Sequence, residues 1–363
     1  MKNLIRLKES PRVKPAQLVT AAVAVVAALA GGAGISAGPA GAAPAVGAGK
    51  ASYLSKAPKF KKPKIKHGVL TIRGTQSSDQ IALRPQAGNP GILQVDVGDD
   101  GSADFNFDRA DVAKIAVDAG AGADLVRIDE SNGVFTDTIP TTIDGGDGND
   151  NLVGGSGAEI LLGGSGDDSI DGNKGADVGR LGAGDDTFVW DQGDGSDIVE
   201  GQAGTDTLRF NGAGIAEHVD LSANGNQLKF FRVEGNITMD TNGVEQVDFN
   251  ALGGADVVTV NDLTGTDVNA VNVDLAGTLG GATGDGQADR VVVNATDGND
   301  AIDVSGDADV VKVSGLAPTI KILHSEVAND RLEINTLAGT DTVETIGLAA
   351  GAIQLFVDGT LVP

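Results

Sequence analysis

The sequence predicts an all-β chain wound into stacked rungs, a β-solenoid, on three observations. From Gly68 onward, apolar and polar residues alternate over short stretches such as GVLTIRG and QIALRP, set between turns rich in Gly and Asp. Half-buried strands have that period and helices do not. Aromatic residues make up only 3% of the 363 positions, so the core must be assembled from Val, Ile, Leu and Ala, which suits thin repeated layers. Third, one strand–turn–strand unit recurs: KIAVDAGAGADLVRI (114–128), VDFNALGGADVVTV (247–260), RVVVNATDGNDAIDV (290–304) and RLEINTLAGTDTVET (331–345). A unit that cannot bury its own apolar face must stack on copies of itself.

Taken in order, residues 1–45 read as a signal peptide. A basic start leads into LVTAAVAVVAALA (18–30), then small residues ending APA at 43–45, a cleavage pattern before Val46. The rival reading is an uncleaved anchor, but the Gly and Pro after Ala30 make a poor spanning helix. No membrane span is expected in the mature chain. Residues 46–67, which include KASYLSKAPKFKKPKIKH, form a basic linker. Its spaced Lys and Pro predict an extended, solvated arm, either a spacer or a contact to an anionic cell envelope. An N-terminal β-strand region follows at 68–140, a repeat region at 141–212, and a C-terminal solenoid-like region at 213–363.

The charge is unevenly placed. The chain holds 51 acids against 26 bases, a net charge of −25, and thirteen of the bases precede residue 75, where Glu9 is the only acid. The remaining body is strongly acidic. It repels phosphate backbones and attracts cations, which excludes nucleic acid as a partner. The absence of cysteine excludes disulfides, thiolate metal sites, iron–sulfur clusters and cysteine nucleophiles.

Between 145 and 209 the chain reads in nines: GGDGNDNLV, GGSGAEILL, GGSGDDSID, GNKGADVGR and LGAGDDTFV, then, after Trp190-Asp191, QGDGSDIVE and GQAGTDTLR. Position four is Gly throughout. Position six is Asp150, Asp168, Asp177, Asp186, Asp197 or Asp206, with Glu159 in the second repeat. Position eight is apolar in six repeats: Leu152, Leu161, Ile170, Phe188, Val199 and Leu208. Glycine admits the positive φ of a tight turn. The acid presents a carboxylate beside turn carbonyls, the oxygen set that calcium prefers. Two nonapeptides make one coil, which places Asp150, Asp168 and Asp186 in one column and Glu159 and Asp177 in another. At the roughly 4.8 Å strand spacing, each stacked carboxylate pair repels by about 1 kcal/mol in bulk water and about 3 at an effective dielectric near 20. A cation between the turns turns that repulsion into coordination, so binding and folding should be one event.

These nonapeptides resemble the RTX, or haemolysin-type, calcium-binding repeat proteins. The resemblance implies a parallel β-roll, here flanked by β-solenoid-like rungs, with Ca²⁺ as cofactor held in the turns. Carried over by position, the side-chain ligands are Asp150, Asp168, Asp177, Asp186, Asp197 and Asp206, with Glu159 at the equivalent place. Many members leave the cell by a C-terminal signal, whereas this chain carries an N-terminal one. Departures from the pattern set further expectations. Glu159, longer than Asp, should distort its site. Gly179 in place of an inward aliphatic, and Asn173 and Leu181 in place of turn glycines, predict loose fourth and fifth repeats. The Trp190-Asp191 insertion is expected to break the stack before Asp197 and Asp206, leaving Asp150–Asp168–Asp186 as the firmest line of sites.

Outside the centre, the turns Gly122/Asp124, Gly254/Asp256, Gly298/Asp300 and Gly339/Asp341 lack a partner nine residues away and read as capped turns. The acidic stretch DVGDDGSADFNFD (96–108) has Gly98 and Phe107 where an EF-hand needs oxygen ligands. No P-loop, nucleophile elbow or zinc-protease motif occurs, and His67, His218 and His324 have no ligand spacing. The expectation is a secreted, non-enzymatic calcium-binding protein with a structural or cell-surface role. The alternatives are a calcium-dependent adhesin binding glycans or cells, and a β-solenoid polysaccharide lyase or epimerase.

Overall fold

A computed structural model describes residues 59–363. The signal peptide expected at 1–45, and the linker as far as 58, lie outside the described residues. Within them the chain is β-strand and turn apart from one short 3-10 turn, Arg109–Asp111. Two sheets, of 15 and 14 strands, enclose a single apolar core. The stretches 68–140, 141–212 and 213–363 lie in one compact body.

In the centre, successive strands alternate between the two sheets. Thr141–Asp147, Ile160–Ser165, Val178–Ala183 and Ile198–Ala203 lie parallel in one. Asn151–Val153, Ser169–Asp171, Thr187–Trp190 and Thr207–Asn211 lie parallel in the other. This is the parallel β-roll expected from the nonapeptides. Each repeat contributes one very short strand, with position eight buried against its counterparts: Leu152, Ile170, Phe188 and Leu208 on one side, Leu161 and Val199 on the other.

Two expectations of disorder in the roll are overturned. The Trp190-Asp191 insertion leaves the stack intact, and the register steps from 18 residues to 20. The reason is that Trp190 lengthens its strand by one inward position. It is buried, pairs with Phe210, and stacks on that ring at 3.9 Å and 7°. Repeats four and five are also packed. Gly179 sits opposite Leu161, and a Cβ there would lie 2.6 Å from the Phe188 ring. Leu181, opposite Gly163, fills the neighbouring position. The missing aliphatic is thus exchanged between adjacent positions, and Asn173 adopts the left-handed turn conformation itself at φ 57.

From Trp190 onward the sheet that carries it has two inward rows: Trp190, Phe210, Phe249, Val273 and Ile322 align beside Phe188, Leu208, Val247, Val271 and Ile320. Three antiparallel meanders interrupt the parallel winding: Gln80–Gln86 with Asn89–Val97 and Phe105–Asp108, His218–Asn224 with Gln227–Arg232 and Ile237–Asn242, and Ala301–Gly306 with Val310–Ser314 and Thr319–Leu323. The expected linker ends earlier than 67. Lys64–Lys66 pairs antiparallel with Val69–Arg73 through the two-residue loop His67-Gly68, both at positive φ, as such tight hairpins require. Pro63 is buried and Phe60 packs on the core, so this end of the arm is pinned by apolar contact.

Candidate metal centre

The roll's turns are shaped by glycine. Gly166 adopts φ 124, and a Cβ on it would come within 2.4 Å of the Gly148 carbonyl oxygen one coil away. No other residue satisfies both the conformation and the approach. The turn closes on Asp168, which is 3% exposed. Its Oδ1 accepts the Asp150 N–H at 2.7 Å, and its own N–H donates to Asp186 Oδ1 at 2.7 Å. The Asp186 N–H donates in turn to Asp206 Oδ1 at 3.0 Å. Across the roll, Glu159 N–H donates to Asp177 Oδ1 at 2.6 Å and Asp177 N–H to Asp197 Oδ1 at 2.8 Å. The carboxylates therefore stand in two columns, one along each edge of the roll.

One oxygen of each aspartate in the columns holds the next coil, and the other is exceptional. Oδ2 of Asp150, Asp168, Asp177, Asp186 and Asp206, and Oε1 of Glu159, are buried without a hydrogen-bond partner. An unsatisfied buried polar group costs about 1–3 kcal/mol, more when charged. Beside one column runs an exposed row in which Asn149, Asp167 and Asp185 accept the N–H groups of Asp167, Asp185 and Thr205 at 2.8–3.1 Å. Among the described residues no three acids or histidines converge closely enough to enclose a metal alone. A cation here needs main-chain or water oxygens as well. The donor set is oxygen throughout, which fits a hard ion such as Ca²⁺.

Residues 142–158, 153–188 and 193–212 match the family model of the RTX calcium-binding nonapeptide repeat, in four copies. This is an RTX array, and RTX repeats bind Ca²⁺. No curated protein matches the chain in sequence.

The electrostatics of the RTX array follow from its burial. Removal from water pushes the Asp168 carboxyl up to about 7, against hydrogen bonding from Asp150 N–H, and the charges of Asp186 and Asp150 add to the rise. Burial likewise raises Asp177 to about 9, Asp197 to about 7 and Asp206 to about 6. Asp150, Asp186 and Glu159 are raised for the same first reason. Asp197 and Asp206 thus stand in their columns despite the insertion. Glu159 differs: its longer side chain folds back so that Oε2 accepts the Gly155 N–H at 2.8 Å.

The columns also run past the RTX array. Asp124 N–H donates to Asp150 Oδ1, and Asp79 N–H to Asp124 Oδ1. In the C-terminal coils, the N–H groups of Glu217, Asp256 and Asp289 donate to Asp256, Asp289 and Asp330, and Asp300 donates to Asp341. Asp124, Asp256, Asp300 and Asp341 therefore have stacking partners, at spacings from 26 to 41 residues. A search at intervals of nine misses these. The detectable signal is an acid two residues before an inward aliphatic, whatever the coil length. His218 and His324 instead pair with Glu234 and Asp274, at 2.8 and 2.7 Å.

Proposed function

We propose that Asp150, Asp168, Asp177, Asp186, Asp197 and Asp206 are the side-chain calcium ligands of the array, with Glu159 marking a weaker site. We further infer that calcium binding and folding of the array are coupled, and that the protein serves outside the cell as a calcium-ordered structural module. The carrying observation is the row of buried, partnerless carboxylate oxygens, repeated at every coil. Bound calcium would supply the positive charge those oxygens lack. The chain's own residues do the rest: glycines bring the turns together, Oδ1 atoms set the coil spacing, and position-eight aliphatics keep water from beneath. The N-terminal signal-like segment supports action outside the cell, where modules of this kind bind calcium at about 10⁻⁴–10⁻³ M.

The test is far-UV circular dichroism of the chain from residue 46 onward, titrated with calcium and then with magnesium. A gain of β-signal near millimolar calcium, absent with magnesium and reduced by Asp168→Asn, is the expected result. An unchanged spectrum in chelator and in calcium would sink the coupling of binding to folding.

A further inference from the structure

Among the acids that end the turns, two kinds recur. In closed turns, the N–H four residues before the acid donates to its second oxygen: Thr75 to Asp79 at 2.6 Å, Ala213 to Glu217 at 2.8 Å, Thr296 to Asp300 at 3.0 Å and Glu326 to Asp330 at 2.6 Å. In open turns, the residue at that place has positive φ and the second oxygen is buried with no partner. Gly146, Gly164 and Gly182 stand so ahead of Asp150, Asp168 and Asp186, as do Asn173 and Gln202 ahead of Asp177 and Asp206. At these turns the backbone at this one residue separates the two kinds. Glu159, preceded by Gly155 without positive φ, accepts that N–H and is half closed.

Two open turns lie beyond the family match. Asp124, behind Gly120 at φ 112, stacks directly on Asp150 and lengthens the array by one turn. Asp256, behind Leu252 at φ 62, stands apart in the C-terminal coils. A leucine in the left-handed region costs about 1–2 kcal/mol, and strain of that kind collects where a site has to be held open. Asp256 is 1% exposed. Its Oδ1 accepts the Glu217 N–H at 2.8 Å and its N–H donates to Asp289 Oδ1 at 2.8 Å, while Oδ2 has no partner. Asp285 closes over the same turn, its Oδ2 accepting the Gly254 N–H at 2.8 Å. The charges that act on Asp256 are those of Asp289, Glu217 and Asp285, all acidic. The nearby base Arg232 is engaged with Glu217.

We propose that the turn at 251–256 is a second divalent-cation site, of the hard, oxygen-seeking class to which calcium belongs. Asp256 Oδ2 is its anchoring ligand, and Asp285 and Asp289 are the flanking carboxylates. The inference rests on the calcium reading of the array, because it extends the open-turn geometry found there.

The experiment counts bound calcium by equilibrium dialysis on three chains from residue 46 onward: wild type, Asp256→Asn and Asp330→Asn. Asn at 256 keeps the acceptor for the Glu217 N–H and removes the charge. The expected result is one calcium fewer in Asp256→Asn and none lost in Asp330→Asn, whose turn is closed. Equal stoichiometry in wild type and Asp256→Asn overturns the proposal while leaving the array's sites standing. No binding by the wild type sinks both readings. A readout independent of any variant is anomalous diffraction from wild-type crystals soaked with a lanthanide. A peak beside Asp256 Oδ2 and none beside Asp330 supports the site, and no peak at Asp256 with peaks in the array overturns it.

Discussion

The array and the C-terminal coils share one winding and one turn chemistry, yet they are held together differently. In the array coil formed by Ser169–Asp171 and Val178–Ala183, the large inward side chains are Ile170 and Leu181. In the coil formed by Gln246–Asn250 and Val257–Val260 they are Val247, Phe249, Val258 and Val260. Two fewer buried side chains amount to about 3–6 kcal/mol less apolar stabilisation per coil. The array coil also carries buried carboxylate oxygens without partners, at Asp168 and Asp177. The C-terminal coils close three of theirs with backbone N–H groups, at Glu217, Asp300 and Asp330, and leave Asp256 open. The thin coil leans more on its turns, where a cation would act, and the thick coil leans more on its apolar core.

The largest expected effect is regional. Removing calcium should lower amide-exchange protection in 142–212 by about a hundredfold per site when calcium had stood at about 100 times its Kd, while 244–335 changes far less. Equal loss in both regions would erase the comparison. Next, Trp190→Ala should cost about 3–5 kcal/mol in urea melts, with or without calcium, because it empties the position where the core widens. A loss seen only in calcium would assign Trp190 to the array's ion sites instead.

A smaller effect tests the exchange of volume inside the roll. Gly179→Ala should cost about 1–3 kcal/mol by overpacking against Phe188, and the cost should shrink when combined with Phe188→Leu; additive losses in a double-mutant cycle would refute that coupling.

The last effect is in pH. The folded-state values of Asp168 and Asp197 are raised to about 7 by burial, above the ordinary 3.8. The calcium-free fold therefore holds more protons than the unfolded chain between those values. Its Tm should be highest near pH 4 and fall as pH rises to about 7. Calcium competes with the same protons, so its stabilising increment should grow over that window. A calcium-free Tm that rises from pH 5 to 7 would contradict the burial of these groups.

Much of this was legible in the residues. Gly at position four, acid at position six and aliphatic at position eight specify turn, column and core locally, because each acts through its own backbone conformation or its own side-chain polarity. The period of nine then places Asp150, Asp168 and Asp186 in one column without further information. What the period could not show is compensation. Gly179 and Phe188 belong to different repeats and meet only across the core, and Trp190 is an interruption in the pattern but an added layer in space.

The sequence by itself therefore determined the β winding, the acidic body and the calcium-binding turns of the array, since these depend on contacts within a coil or between coils of equal length. Tertiary structure alone decided which further acids join the columns. Asp256 and Asp289 are brought together over 33 residues of varied loop and strand. Whether Asp256 Oδ2 stays free depends on the left-handed backbone at Leu252, a conformation that leucine's side chain disfavours and that only the packed coil enforces.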